Sequence, residues 1–485
     1  MSHEIELLEP KPFWKYFADL SAIPRGSKNE KEAGEWVKKV ASDHSLEYKQ
    51  DDAGNIVVRV PATPGHENAQ TVILQGHLDM VHEKNSDVDF DFEKDGIRLK
   101  IEDGWITADG TTLGADNGVG VAASLAVLDS PEVVHGPLEL LFTVDEETGL
   151  TGASALRTGF VTGKRMLNLD SEDDKTFYIG CAGGSDAHIL LPLNWESPPD
   201  GTIGVKILVT GLSGGHSGLN IVENRGNAIR LLTRILARTG RRDDYLGLAS
   251  IEGGSKHNAI PREAWAVFTG DGQAIDVLKQ AAKEELTLFR EEFGSSDPDA
   301  RAELSEVKKP DLVVDVSTRD RLLGTLLGLP NGVLSMSRDM PGLVETSTNL
   351  AVVRLDDDYA RIHMSSRSSV SASVSKTNWQ IAAVAGLAGA QVEMGGSYPG
   401  WKPDMNSHLL KIATETYRDL RGSGPEVTAI HAGLECGIIG ERFPGMDMIS
   451  FGPTIEGAHS PEERMNIASA QRFWELLRGM LAVLA

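Results

Sequence analysis

The sequence predicts an α/β fold with a mostly parallel central sheet, interrupted by an α+β insertion. Three observations predict it. Short apolar strands alternate with helical stretches through residue 184; the texture then shifts to longer strands and amphipathic helices; and the α/β texture returns near Tyr398-Pro399-Gly400 before a long terminal helix. Strands alternating with helices are what a parallel sheet covered by helices requires. The expected division is residues 1–184 with 398–485 as one domain and 185–397 as the other.

The first helix is expected over Lys11–Leu20, where Phe13, Trp14, Phe17 and Leu20 recur at helical spacing. The turn Ile23-Pro24-Arg25-Gly26-Ser27 ends it, and a second helix follows with Ala33, Trp36, Val37 and Val40 on one face. Ile56–Val60 and Thr71–Leu74 read as strands, Val119–Leu128 as a helix, and Leu138–Val144 and Met166–Leu169 as strands. In the insertion, Ile203–Thr210, Trp265–Thr269, Asp311–Val316 and Leu350–Met364 read as strands. Asn227–Arg238 and Ala274–Phe289 read as amphipathic helices, and Phe293–Pro298 as a turn-rich break. Met446–Gly452 reads as a further strand. The last helix is expected over Pro461–Leu484, with Ser460 as N-cap, Pro461 at the first helical position and Glu463 closing a capping box.

Composition bounds the function. With 485 residues, two or three domains are expected at roughly 150 residues each. Hydrophobic residues at 40% and charged residues at 24% fit a globular chain rather than a disordered one. The 71 acidic against 47 basic residues leave a formal charge of −24, which argues against nucleic-acid binding, since that rests on Lys and Arg contacts to phosphate. No basic region followed by an apolar run opens the chain, and no apolar run approaches the ~18 residues of a membrane span. The two cysteines, Cys181 and Cys436, form no Cys-rich zinc or disulfide framework. No membrane partner is expected, and the cytoplasm is the expected compartment.

Polar clusters stand where strands end. Thr71–Gly76 runs into His77-Leu78-Asp79; Leu138–Val144 runs into Asp145-Glu146-Glu147; Met166–Leu169 runs into Asp170-Ser171-Glu172-Asp173; and Met446–Gly452 leads through Gly457 to His459. Asp116 lies just before a helix. Open α/β sheets bind ligands beyond the carboxyl ends of their strands, so these residues are expected to converge. Imidazoles and carboxylates without thiolates suit zinc, cobalt or manganese at a catalytic site. Paired metals commonly share a bridging carboxylate. Asp116, Glu147 and Asp170 would set three negative charges against the four positive of two divalent ions, and the remainder favours hydroxide over water. Two residues apart in an extended segment, Asp79 and His77 face the same way, so Asp79 is expected to orient the imidazole. Glu146, left without a metal, is the expected general base.

These residues resemble a known family. Gly76-His77-Leu78-Asp79-Met80-Val81, Gly114-Ala115-Asp116-Asn117-Gly118, Asp145-Glu146-Glu147-Thr148-Gly149 and Asn168-Leu169-Asp170-Ser171-Glu172 match the motifs of two-zinc metallopeptidases that include carboxypeptidase G-like enzymes and carnosinases. Further segments resemble its aminoacyl-histidine, or cytosol non-specific, dipeptidase branch: Gly214–Gly218, Lys256–Pro261, His431–Gly437 and Gly452–Ser460. The resemblance spans nearly the whole chain. It implies a zinc-peptidase-like catalytic domain and a lid at about 185–397 that supplies substrate contacts and a homodimer interface. It also implies two zinc ions per chain, with cobalt or manganese able to substitute. Asp116 would bridge them, His77 and Asp170 completing one site and Glu147 and His459 the other; Asp79 would orient His77, and Glu146 would be the base. In the lid, His216 resembles the histidine that polarises the scissile carbonyl, in this family across the subunit interface. Asn258 and Arg367 resemble positions that bind the substrate backbone and free carboxylate, the latter suited to a guanidinium fork. Gly433 would allow close approach of substrate. The implied reaction is hydrolysis of dipeptides with a free C-terminal carboxylate, including Xaa-His dipeptides such as β-alanyl-histidine. An N-acyl-amino-acid deacylase with the same metals is the alternative. A catalytically inactive binding protein predicts loss of a ligand or of Glu146, and all are present.

Overall fold

The computed structural model describes residues 5–239 and 246–485, so the first four residues of the stretch read for a leader lie outside it. The chain packs as two compact units: Met1–Gly180 with Pro403–Ala429 and Leu434–Ala485, and Cys181–Lys402 with Ile430–Gly433. The second unit starts earlier and ends later than 185 and 397 because its sheet does. Gln391–Tyr398 pairs with Gly183–Pro192 as far as Gly184 opposite Tyr398, and Cys181 bridges to Trp401 beyond. Ile430–Gly433, expected with the flanking α/β segment, joins it because Ala182 N–H donates to the carbonyls of Ile430 and Ala432, both at 3.0 Å.

In the first unit the helix Lys11–Ser21 buries Phe13, Trp14, Phe17 and Leu20, and Lys31–Asp43 buries Ala33, Val37 and Val40. Trp36 is only half-buried and sits edge-on to Tyr16 at 6.1 Å. Among the described residues the sheet has eight strands, in the order Glu47–Gln50, Ile56–Val60, Leu138–Thr143, Val72–His77, Arg165–Asn168, Asp447–Ser450, Thr176–Cys181 and Glu426–Ile430. Its centre is parallel: Val72–His77 pairs with Leu138–Thr143 and Arg165–Asn168, and the latter with Asp447–Ser450. Both flanks turn antiparallel. Val72–His77 and Leu138–Thr143 are buried at every position, as parallel strands covered on both faces must be. All four parallel strands therefore end at the same edge.

The expected helix at Val119–Leu128 occupies Ala115–Ala126 and tightens into a 3-10 turn at Val127–Asp129, with non-helical backbone at Asp116 and Asn117. The last helix needs a larger correction. It spans Ile467–Leu484, and its N-cap is Asn466, whose side chain accepts from Ser469 N–H at 2.9 Å. Arg464–Asn466 is instead a strand paired with Trp105–Ala108. The capping box fails because Glu463 is engaged elsewhere: its carboxylate accepts the backbone N–H groups of Leu113, Gly114, Ala115 and Asp116 at 2.8, 3.0, 2.8 and 3.3 Å.

The second unit is built on an antiparallel sheet of nine strands among the described residues: Arg301–Val307, Ile203–Thr210, Ala264–Gly270, Leu246–Gly253, Val344–Leu355, Tyr359–Ser368, Gly183–Pro192 and Gln391–Tyr398, with Gly332–Met336 added on Val344–Leu355. The helices Ala228–Thr239, Gly272–Phe293, Val316–Gly328 and Ser371–Leu387 contribute Leu232, Leu278, Leu322 and Ile381 to a core shared with Ile207, Phe268 and Ile362. The run expected as one strand at Leu350–Met364 is two, turned at Asp356, whose carboxylate accepts from Asp358 and Tyr359 N–H. The strand expected at Asp311–Val316 shrinks to Val313–Val314, because Asp315 caps the following helix by accepting from Thr318 N–H. No helix among the described residues is long and apolar enough to cross a membrane.

Candidate active site

The parallel strand ends of the first unit bring the expected residues together. His77 closes Val72–His77, Asp170 lies two residues beyond Arg165–Asn168, Glu146 and Glu147 follow Leu138–Thr143, and Asp116 stands in the first turn of its helix. His459 sits on the loop beyond Asp447–Ser450. Three overlapping groups have mutually close donor atoms: His77, Asp116 and Asp170; Asp116, Glu147 and His459; and His77, Glu146 and Glu147. Asp116 is the hinge of the arrangement. Its Oδ1 lies 3.1 Å from His77 Nε2 and its Oδ2 lies 3.2 Å from His459 Nε2. Asp170 Oδ1 is 3.3 Å from His77 Nε2, and Glu147 Oε2 is 3.0 Å from His459 Nε2.

The donors fit two cations. Glu147 Oε1 is buried with no hydrogen-bond partner, and Asp170 Oδ1 faces His77 without an aligned hydrogen bond. Burying a carboxylate oxygen in that condition is costly unless a cation shares the site. The carboxylates draw positive charge to two places. Hydrogen bonds to the carboxylates of Asp116 and Glu147 push the His459 imidazole up to about 11. Burial opposes protonation of His77, but the Asp170 charge and the bonds to its acidic neighbours outweigh it and hold the pKa well above the usual imidazole value. Imidazole nitrogens and carboxylate oxygens are the ligand set of catalytic zinc, manganese or cobalt. A cation held there would displace the protons of both rings.

A surrounding frame fixes these ligands. Asp79 is fully buried, and its carboxylate faces His77 Nδ1 at 3.3 Å. The same carboxylate accepts from Ser27 Oγ at 2.8 Å and from the N–H groups of Glu146 and Glu147 at 3.0 and 3.2 Å. One side chain thus orients a histidine and pins the acidic loop. Burial raises the Asp79 pKa, yet these bonds, that to His77 foremost, bring it down to about 2. Asp145 and His459 both adopt left-handed backbone, at φ 50° and 63°. For residues with a Cβ this costs energy and recurs at functional sites. The Asp145 conformation is held by hydrogen bonds from Thr148 and Thr151. Arg25 is buried and donates to the carbonyls of Leu78, Asp79 and Gly114. Gly114 has φ 70°, and a Cβ there would lie 2.6 Å from the Arg25 guanidinium, so only glycine fits.

Glu146 is suited to proton transfer. Burial raises its pKa well above the usual carboxylate value, and the charges of Asp170, Glu435 and Glu147 add to this against the opposing pull of His77. A carboxyl group that holds a proton nearer neutrality can take one and give it back.

Several residues of this site were not among those expected. Glu435 is buried, accepts from Gln75 Nε2 at 2.6 Å and Thr143 Oγ1 at 2.7 Å, and is pushed up to about 7 by burial. Gln75 in turn accepts from Asn168 Nδ2 at 2.5 Å. Glu435, Gln75, Thr143 and Asn168 thus tie three strand ends together beneath the ligands. The signal was weak: Glu435 stands within the His431–Gly437 segment, and Arg25 in what reads as a surface turn.

The softer candidates lie in the second unit. Gly215–His216 pairs with Ala259–Ile260, and Ser217 N–H donates to the Asn258 carbonyl at 2.8 Å, which makes His216 and Asn258 neighbours. His216 Nδ1 accepts from Gly218 and Leu219 N–H at 3.2 and 3.1 Å. A neutral ring with Nδ1 accepting carries its proton on Nε2. Burial, then the charge of Arg367, lowers the His216 pKa and favours that neutral form. Arg367 donates to Tyr398 Oη at 3.1 Å, while its buried Nε has no partner. At Gly433 a Cβ would lie 3.0 Å from the Tyr398 ring, so this glycine also lets the ring pack.

His431 lies 2.7 Å from Ser347 Oγ through Nε2, and burial followed by the Arg367 charge lowers its pKa to about 4. The unfolded chain therefore binds this proton first as pH falls, and stability is lost between about pH 6.5 and 4. His431→Gln should flatten that part of the urea-midpoint profile. A profile unchanged from wild type would show that His431 is not depressed.

Comparison with known proteins adds to this geometry. The description "Peptidase family M20/M25/M40" matches residues 73–482. The chain is 41% identical over 478 residues to the cytosol non-specific dipeptidase of Escherichia coli (strain K12), covering 99% of this chain and 98% of the relative. The crystal structure of aminoacylhistidine dipeptidase from Vibrio alginolyticus superposes with a TM-score of 0.94 at 40% identity, covering 100% of this chain and 99% of that one. Aminopeptidase PepT from Bacillus cereus, at 19% identity and a TM-score of 0.57 over 98% of this chain and 99% of its own, shares the fold.

Proposed function

The chain belongs to peptidase family M20/M25/M40, and from that premise we propose that it hydrolyses dipeptides with a free C-terminal carboxylate, Xaa-His dipeptides such as β-alanyl-histidine among them. It is a metal-dependent dipeptidase. The observation that carries the reading is the Asp116 carboxylate between two imidazoles, one oxygen toward each, with Glu146 close by.

Two zinc ions would fit these donors: His77 and Asp170 would hold one, Glu147 and His459 the other, and Asp116 would contribute to both. When bound, such ions polarise a carbonyl and lower the pKa of water. Asp79, at Nδ1, keeps His77 turned with Nε2 toward Asp116 and Asp170. Glu146 accepts the proton of the attacking water and hands it to the leaving amine. His216, neutral and protonated on Nε2, donates to the oxyanion that forms on the scissile carbonyl. Asn258 holds the substrate backbone, and Arg367 grips the terminal carboxylate through a planar fork that lysine lacks. Gly433 leaves room for the substrate beside Tyr398. The compartment is the cytosol, in keeping with the name of the Escherichia coli relative.

The deciding experiment is a substrate panel on enzyme of known metal content. Dipeptides should be cleaved and N-acyl amino acids should not, with close to two divalent ions per chain and activity abolished by chelators. Preference for N-acyl amino acids would assign a deacylase instead. Active protein that holds no transition metal would remove the mechanism.

The active form is a homodimer in which His216 serves the partner's site. A His216→Ala chain should lose kcat strongly with metal content unchanged, since an oxyanion donor is worth roughly 3–4 kcal/mol. Mixed with Glu146→Ala chains, it should form heterodimers with one intact site and regain activity. If subunit exchange is verified and the mixture stays inactive, His216 acts within its own chain or not at all.

A further inference from the structure

Glu463 is a buried acid that the reaction does not use, 2% exposed and with no place in the donor groups around the two histidines. Its two carboxylate oxygens collect four consecutive backbone N–H groups, Oε2 those of Leu113 and Gly114 and Oε1 those of Ala115 and Asp116. The last donor is the backbone of the residue whose side chain spans both imidazoles. Four N–H groups on one carboxylate fix the path of a segment more tightly than any single bond, because no shift of the loop keeps all four.

Two further contacts complete the cradle. Arg25 holds the Gly114 carbonyl on the same loop, and the Glu463 charge is the largest favourable electrostatic neighbour of that buried guanidinium. Asn117 Nδ2 donates to the Leu169 carbonyl at 2.6 Å, which ties the far side of Asp116 to the segment that ends in Asp170. Glu463 also balances charge. Without its carboxylate, Arg25 would lose the largest of the acidic charges that offset its own, leaving Asp79, Asp116 and Glu147, beside a site that must hold two more cations.

We infer that Glu463 is a positioning residue that sets the affinity of both cation sites at once, by fixing the backbone of Asp116 and neutralising Arg25. The inference rests on the two-cation reading above and extends it to a residue that touches neither cation. It also separates Glu463 from Asp79. Asp79 faces His77 and accepts the N–H of Glu147, so it holds one ligand at each site without reaching the ligand they share. Glu463 acts through the shared carboxylate, so it acts on both.

The test is metal binding rather than turnover. Purified wild type and Glu463→Gln are stripped, reloaded with zinc, and titrated against a competing chelator while bound metal is counted. The amide of Glu463→Gln keeps one acceptor and brings two N–H donors against donors, so both bound equivalents should weaken together by ~10–100-fold, the usual effect of disturbing a residue behind a ligand. Excess zinc should restore the kcat of Glu463→Gln with KM unchanged, which a generally damaged fold would not permit. Weakening of a single equivalent in Glu463→Gln would place its action at His459, four residues away, and overturn the inference. So would wild-type affinity in that variant, or a kcat that excess zinc fails to restore. If Glu463→Gln does not fold, Arg25→Lys carries the test. It keeps the charge but loses the fork on the Leu78, Asp79 and Gly114 carbonyls, and should also weaken both equivalents; unaltered affinity overturns the inference. Wild type that binds no zinc would instead reject the two-cation reading itself.

Discussion

Glu146→Gln should retain close to two metal ions per chain and the native fold, yet lose at least ~10²-fold in kcat. The substitution keeps shape and removes only the capacity to take a proton. KM should change little, because the Glu146 carboxyl is not assigned a contact with the ground-state substrate, and kcat and kcat/KM should fall together. A second effect has a defined sign. The folded protein raises the Glu146 pKa, so the carboxyl contributes stability that is full below its unfolded value and is lost as pH rises through the folded one. Gln has no such loss. With both proteins stripped of metal, the thermal midpoint of Glu146→Gln should therefore exceed that of wild type at neutral pH, with the difference shrinking toward pH 4. Near-normal kcat in this variant would remove the base assignment, and a lowered midpoint would mean that the buried carboxylate is better accommodated than its surroundings imply.

What the sequence made legible follows from how each residue is held. His77, Glu146, Glu147 and Asp170 lie at or just beyond strands whose apolar runs are unmistakable, and the edge of a parallel sheet gathers strand ends whatever the loops do. His459 was legible for the same reason, through Asp447–Ser450. Glu463 was misread because the capping-box pattern is local, whereas its partners at residues 113–116 lie about 350 positions away in the chain. Glu435 was missed on the same ground, since Gln75 is 360 residues distant. Arg25, flanked by Pro24 and Gly26, has the composition of an exposed turn, yet its guanidinium is buried against three carbonyls. Long-range hydrogen bonds from buried charges leave no periodicity, so pattern reading finds ligands on strands and misses the residues that hold them. The excursion of Ile430–Gly433 into the second unit belongs to the same class, because two carbonyls on Ala182 decide it.

Asp116→Ala should have the largest effect of any single substitution in the chain. It removes the one carboxylate among the described residues that faces both His77 and His459, and so it should release both metal ions rather than one. Activity should fall further than the ~10²-fold expected for loss of a proton shuttle, because the cations leave with the ligand. Excess zinc should not restore it, in contrast to a change behind the ligand. The loss is chemical rather than steric, so Asp116→Asn should behave nearly as badly: an amide has one acceptor oxygen and turns its N–H groups toward the second imidazole. The electrostatics offer a readout independent of metal and turnover. The hydrogen bond that Asp116 accepts is the largest reason that the His459 imidazole is pushed up to about 11, and Asp116 also bonds His77. Both histidines should titrate at lower pH in either variant stripped of metal than in wild type stripped the same way, followed by imidazole resonances. A variant that keeps one tightly bound zinc and half its activity would show that Asp116 serves a single cation, and the shared-ligand arrangement would then have to be replaced by two separate sites.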